Sequence, residues 1–176
     1  MKNFIKELIP YVIIVILVVF IRSFIITPVI VRGDSMDDTL IDGEVLFLSK
    51  ISYRVGEIKR FDIVVIRDGD NDLIIKRVIG LPGDNVKYRD NVLYINGKKY
   101  KDIYANGKTE DFDLQQICMI NNSECVSKIP KDMYLVLGDN REVSADSRIK
   151  GLFSKDVILG KAVFRVWPIN KLNILK

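Results

Sequence analysis

The sequence predicts a mainly β protein preceded by one apolar helix, on three observations. Residues 8–21 carry no charge. Beyond Pro28 the chain breaks into short runs rich in β-branched and aromatic residues, separated by Gly, Asp and Asn. No segment in that part sustains a helical apolar period of convincing length.

The first element is the run from Pro10 to Phe20, almost entirely aliphatic. Fourteen uncharged residues fall short of a bilayer crossing, which needs about 20. Phe24-Ile25-Ile26 extends the stretch past Arg22, whose long side chain reaches an interface. A spanning helix ending near Pro28 fits. The competing reading is a cleaved secretory signal with Lys2 and Lys6 as its basic end, but Ile21, Arg22, Ser23 and Phe24 supply no small-residue cleavage site. A retained anchor is therefore the better fit. Lys2, Lys6 and the amino terminus favour a cytoplasmic start, although Arg22 and Arg32 flank the other side.

The strand candidates that follow are Glu44 to Leu48, Phe61 to Ile66, Leu73 to Ile79, Val92 to Ile95, Met133 to Leu137 and Lys161 to Trp167. Asn96-Gly97 between Val92-Leu93-Tyr94-Ile95 and Lys98-Lys99-Tyr100 predicts a hairpin, because both residues tolerate the left-handed angles of a two-residue turn. From Tyr104 to Lys128 the chain turns polar and irregular, which reads as an insertion projecting from the main sheet.

At 176 residues the chain is long enough for one domain with a real core and too short for two full-sized ones. Its net charge of +4 and pI near 9.0 do not make it a nucleic-acid binder: 23 acidic residues are scattered through it, and no block of five or six basic residues occurs. Cys118 and Cys125 can form one small disulfide loop in an oxidising compartment or stand as two free thiols. Two cysteines and no histidine leave a zinc site short of ligands, so no metal or cofactor is expected.

The absence of histidine also bears on catalysis. A serine nucleophile needs an adjacent base, and without imidazole a lysine whose charged form is disfavoured by burial can serve. Ser35 follows Gly33-Asp34, where glycine can shape a sharp turn that presents the hydroxyl and its N–H; alternatively the hydroxyl only bonds its own turn. Lys76 sits inside Leu73-Ile74-Ile75-Lys76-Arg77-Val78-Ile79. On a strand it shares a face with Ile74 and Val78, and Arg77 shares the other with Ile75 and Ile79. A free lysine has a pKa of about 10.4, and lowering it by about 3 units takes roughly 4 kcal/mol, which burial among aliphatics can supply. The alternative is an edge lysine in water with Arg77 beside it. In Gly138 to Arg148, an extended chain would align Ser144, Asp146 and Arg148, a row able to orient a lysine amine. It could equally be a solvated turn with a surface ion pair.

Taken in order, Gly33-Asp34-Ser35-Met36, Arg60-Phe61-Asp62-Ile63-Val64-Val65, Lys76 to Asp84 and Gly138 to Arg148 resemble the boxes of bacterial type I signal peptidases. With the amino-terminal anchor, the likeness covers nearly the whole chain. The resemblance implies Ser35 as nucleophile, Lys76 as general base, Ser144 as the hydroxyl that positions the lysine, Asp146 with Arg148 as structural support, and Met36 lining the cleft beside the nucleophile. It also implies a signal-peptidase-like β-barrel or ribbon catalytic domain over 28–86 and 129–176, a cap-like insertion over 87–128, and an anchor over 1–27. Its substrates would be signal-peptide-bearing preproteins cut after small residues at the first and third positions before the cut. Its place would be the plasma membrane, single-pass, with the catalytic domain extracytoplasmic; no nucleic acid and no obligate oligomer are expected. Asp38 stands where the family usually has proline, and Gly33 stands where some members carry a serine that helps hold the oxyanion; glycine there resembles the Gram-positive branch. Two rivals are a self-cleaving repressor-type Ser/Lys peptidase and an anchored, non-catalytic β domain that binds exported chains. A sortase is excluded, since that family needs a cysteine paired with histidine.

Overall fold

The computed structural model describes residues 2–69, 72–120 and 127–175. Helix α1 spans Lys2–Phe24, with Pro10 inside it. Its stretch Glu7–Phe24 has a mean hydropathy of 2.3 and no residue buried against the rest of the chain. At 1.5 Å per residue the helix runs about 35 Å, long enough to cross a hydrocarbon core. The helix stops four residues short of the expected Pro28, because strand β1 (Ile26–Ile30) begins there. Pro28 lies within that strand, opposite Phe47. Proline is tolerated there because β1 ends its sheet's strand order and Thr27, ahead of the ring, is confined to extended angles.

The remaining strands are β2 (Val45–Ser49), β3 (Ile63–Asp68), β4 (Asp72–Gly80), β5 (Val86–Arg89), β6 (Val92–Ile95), β7 (Lys98–Tyr100), β8 (Phe112–Asp113), β9 (Met133–Leu137), β10 (Phe153–Ser154), β11 (Ile158–Trp167) and β12 (Asn173–Ile174). Short helices α2 (Ser52–Val55), α3 (Leu114–Ile120) and α4 (Ser147–Lys150) sit between them. The chain is mainly β behind its apolar helix, as expected. Eight strands make one sheet in the order β1-β2-β11-β3-β4-β9-β10, with β12 paired to β11. Four make the other, in the order β7-β6-β5-β8. The β6–β7 hairpin turns at Asn96 and Gly97 with φ of 53° and 78°, the left-handed pair that a type I′ turn requires.

Three apolar clusters hold the sheets. Val64, Ile66, Val78 and Val136 pack on one face of the large sheet. Ile63, Val65 and Ile75 pack with Met36, Leu40 and Leu46 in a second cluster. The third joins Ile79, Leu135 and Leu137 of the large sheet to Val86, Tyr88, Leu93 and Ile95 of the small one. Here the structure departs from the projecting insertion expected for 104–128. Phe112, Leu114 and Ile117 are buried in this same joining cluster, because β8 and the first turns of α3 place these three side chains inward at strand and helix spacing. Cys118 lies on α3, but the Cys118–Cys125 pairing lies outside the described residues.

Candidate active site

Ser35 lies in the loop between β1 and β2. Gly33 opens this loop at φ 75°, where a side chain would be strained, and its N–H donates to Asp42 Oδ1 at 2.7 Å. The N–H of Leu40 donates to the Met36 carbonyl at 2.8 Å, coiling the following turn. The Ser35 carbonyl accepts from the Asn140 N–H at 3.1 Å, so the loop is pinned to the segment after β9.

Lys76 is on β4, between β3 and β9, with Val64 as its cross-strand partner. The edge alternative therefore does not apply: Lys76 is 3% exposed, and Arg77 beside it is fully buried. The Lys76 ammonium donates to Ser35 Oγ at 2.7 Å. Burial pushes its pKa from the ordinary value near 10.5 down to about 8. The Asp146 carboxylate opposes that shift, Lys150 and Arg148 reinforce it, and Asp68 opposes it.

Gly138 to Arg148 is not extended, which corrects the expected in-line row. The chain turns, and Asp146 becomes the N-cap of α4, accepting from the Arg148 N–H at 3.2 Å. The same carboxylate accepts from Arg148 Nε at 2.9 Å, from Arg148 Nη2 at 2.8 Å and from the Gly138 N–H at 3.0 Å. Asp146 and Arg148 thus meet through a helix cap, not through strand alternation. Ser144 Oγ is buried and has no hydrogen-bond partner among the described residues, so the expected bond from this hydroxyl to Lys76 is not made. A methyl group at Gly138 would overlap both Ser144 Oγ and the Ser35 carbonyl oxygen, so these two lie side by side across the glycine. Met36 is 1% exposed and packs in the core cluster with Leu40 and Leu46. It supports the serine loop from beneath and does not line an open cleft.

Sequence reasoning missed the ion pair that fastens these pieces together. Arg77 Nε and Nη2 donate to Asp139 Oδ1 and Oδ2 at 2.8 and 2.6 Å, with both side chains fully closed to solvent. Thr39 Oγ1 donates to the same Asp139 carboxylate at 2.6 Å, and Arg77 Nη1 donates to the Phe61 carbonyl at 2.9 Å. The Tyr104 ring covers the guanidinium at 3.7 Å. One buried carboxylate therefore binds the strand that carries Lys76 to the loop that carries Ser35. The signal was a second charge in the same apolar run, but its partner stands 62 residues away.

Comparison with known proteins extends this geometry. The profile of the family described as "Signal peptidase, peptidase S26" matches residues 2–167. The chain belongs to the signal peptidase family. It is 41% identical over 179 residues to the Signal peptidase IB of Staphylococcus aureus, covering 94% of this chain and 93% of that one. It is 42% identical over 176 residues to the Signal peptidase I of Bacillus licheniformis, covering 98% and 94%. The crystal structure of a signal peptidase I from Enterococcus faecalis V583 superposes with a TM-score of 0.54 at 34% identity, over 62% of this chain and 99% of that one.

Proposed function

We propose that this signal peptidase family member is a membrane-anchored serine endopeptidase that removes amino-terminal leaders from exported preproteins by means of a Ser35–Lys76 dyad. The observation that carries this reading is the 2.7 Å separation of Lys76 Nζ from Ser35 Oγ, with the lysine only 3% exposed.

In its neutral form Lys76 takes the Ser35 proton while the hydroxyl oxygen attacks the scissile carbonyl carbon. The resulting ammonium gives that proton to the leaving amine, and an acyl-enzyme remains on Ser35. The same amine then activates the water that releases the leader. The Ser35 backbone N–H is positioned as one donor to the oxyanion. Ser144 serves as the hydroxyl that receives the lysine when its proton has moved, which gives a use to a buried group with no partner at rest. Asp146 and Arg148 hold the turn on which Ser144 is carried.

The named relatives support the substrate class, and the family resemblance supports cleavage after small residues. The apolar α1 supports an anchor in the plasma membrane, with the amino terminus cytoplasmic and the β sheets outside. The test is to incubate the detergent-solubilised protein with one radiolabelled preprotein and sequence the new amino terminus. The native chain should release a mature protein whose new amino terminus directly follows, in the preprotein sequence, small residues at the first and third positions before the cut. Ser35→Ala and Lys76→Ala should each release none, and normal processing by both variants would end this reading.

A further inference from the structure

A cleft of about 510 Å³ opens at the end of the large sheet where α1 joins it. Ile26 of β1 pairs with Ser49 of β2, and Ser49 pairs with Lys161 of β11, both antiparallel. The residues before Ile26, after Ser49 and before Lys161 therefore crowd one end of the sheet. From β2 onward the wall takes Lys50, Tyr53 and Arg54, and from the approach to Lys161 it takes Lys155, Asp156 and Ile158. Lys50 ties the cleft to the helix. Its N–H donates to the Ile25 carbonyl at 3.0 Å, and its Nζ donates to the Ser23 carbonyl, in the last turn of α1, at 3.2 Å.

The charge of this wall is one-sided. Lys50, Arg54 and Lys155 face a single carboxylate, Asp156, and none of the four makes an ion pair among the described residues. Asp62, which accepts the Tyr53 hydroxyl at 3.0 Å, is already met by Lys161 Nζ at 2.5 Å. The cleft is thus net positive, and the Lys50 ammonium has N–H donors beyond the one that Ser23 takes. Beside these cations stand Ile51 and Val55, 41% and 81% exposed. The turn that opens α2 sets them four residues apart, with the Val55 N–H on the Ile51 carbonyl at 3.2 Å. Exposed aliphatics next to unpaired cations are the composition of a segment that rests at the headgroup level of a bilayer.

Resting on the reading of α1 as an anchor, we infer that this cleft takes the phosphate of an anionic phospholipid headgroup, with Ile51 and Val55 dipping into the leaflet beside it. A helix that crosses the hydrocarbon leaves its last turn at the headgroup layer, and Lys50 is bonded to that turn. A phosphodiester with no cation of its own suits the positive wall better than a zwitterionic headgroup, whose ammonium meets the same field. Each cation near an anionic leaflet raises binding about fivefold, and added salt screens the effect. Contacts of that size act on a chain that α1 already holds where phosphate is concentrated, and they do not replace the anchor.

The experiment places the full chain in lipid nanodiscs of phosphatidylglycerol or of phosphatidylcholine and follows hydrogen exchange at the Arg54 and Val55 amides, which both bond the Ile51 carbonyl. Docking on the leaflet should slow their exchange about fivefold or more in phosphatidylglycerol relative to phosphatidylcholine. The double variant Arg54→Gln/Lys155→Gln leaves Lys50 at the helix junction and changes two exposed side chains. It should keep its melting temperature and exchange at nearly equal rates in the two discs. Equal rates in the native chain, or a slowing that survives in the double variant, overturn the site. Inorganic phosphate added to phosphatidylcholine discs should leave the rates unchanged, and an equal slowing there would mark an adventitious ion only and overturn the lipid assignment. Elution of the chain with the disc reads the anchor separately. A chain that stays with neither disc removes the anchor and the site together, whereas equal rates in a chain that stays with both remove the site alone.

Discussion

Lys76 is a base only while it is uncharged, and its pKa of about 8 makes roughly one molecule in ten competent at pH 7. Activity is therefore expected to rise about tenfold per pH unit below 8 and to level off above it, which a kcat/KM profile from pH 6 to 10 reads directly. The same shift carries a stability cost. The folded lysine binds its proton more weakly than the unfolded one, so stability rises with pH between about 8 and 10.5, and the full penalty is present below about 8. Lys76→Met should accordingly be inactive yet more stable than the native chain at pH 6, by up to about 3 kcal/mol, with the difference fading as the pH passes 10. Chemical denaturation at the two pH values checks it. At this scale the site was legible where flanking residues carry the information. A lysine among Ile74, Ile75, Val78 and Ile79 announces a desolvated amine, and a histidine-free chain narrows the possible bases. Met36 and Ser144 were not legible in the same way, since burial and hydrogen bonding depend on residues far away in sequence.

Among the elements, β4 and the turn after β9 do most to hold Lys76 against Ser35. Gly138 has no room for a side chain between Ser144 and the Ser35 carbonyl. Gly138→Ala should push these apart and lower kcat by about 100-fold or more, with a smaller change in KM, because a displacement of about 1 Å at a reacting group costs that much. Asp139→Asn leaves the Arg77 guanidinium buried without its counter-charge. It should cost about 3–5 kcal/mol in urea denaturation, the range for breaking a buried pair from one side. The strand candidates and the Asn96-Gly97 hairpin could be read locally, because alternation and turn chemistry are properties of a few adjacent residues. Helix α3 could not. It is seven residues long, too short to show a period against its polar neighbours, and among the residues whose burial is described Leu114 and Ile117 mark its inward face. The expected row of Ser144, Asp146 and Arg148 assumed a strand, whereas Asp146 is better served as a helix cap, where its carboxylate accepts N–H groups that would otherwise lack partners.

For the molecule as a whole, α1 is separable from the rest. The stretch Glu7–Phe24 is unburied, and its links to the sheets are few. Lys50 Nζ donates to the Ser23 carbonyl at 3.2 Å, and Thr27 Oγ1 donates to the Arg22 carbonyl at 2.9 Å, both exposed. A chain starting at Ile25 should therefore fold with a stability within about 0.5 kcal/mol of the full-length protein and should no longer sediment with vesicles. The family likeness spanned the anchor and the boxes because each box is a contiguous string. The junction between the two sheets was hidden, since Leu135, Leu137 and Ile79 meet Val86, Tyr88 and Ile117 only after folding.

The central claim is that an amine made neutral by burial activates Ser35, and titration of the Lys76 side chain tests it most directly. With ¹³C at its ε position, Lys76 should titrate in the folded protein with a midpoint near pH 8, coincident with the acid limb of kcat/KM. A Lys76 midpoint near 10.5 in an enzyme fully active at pH 7 would contradict the account.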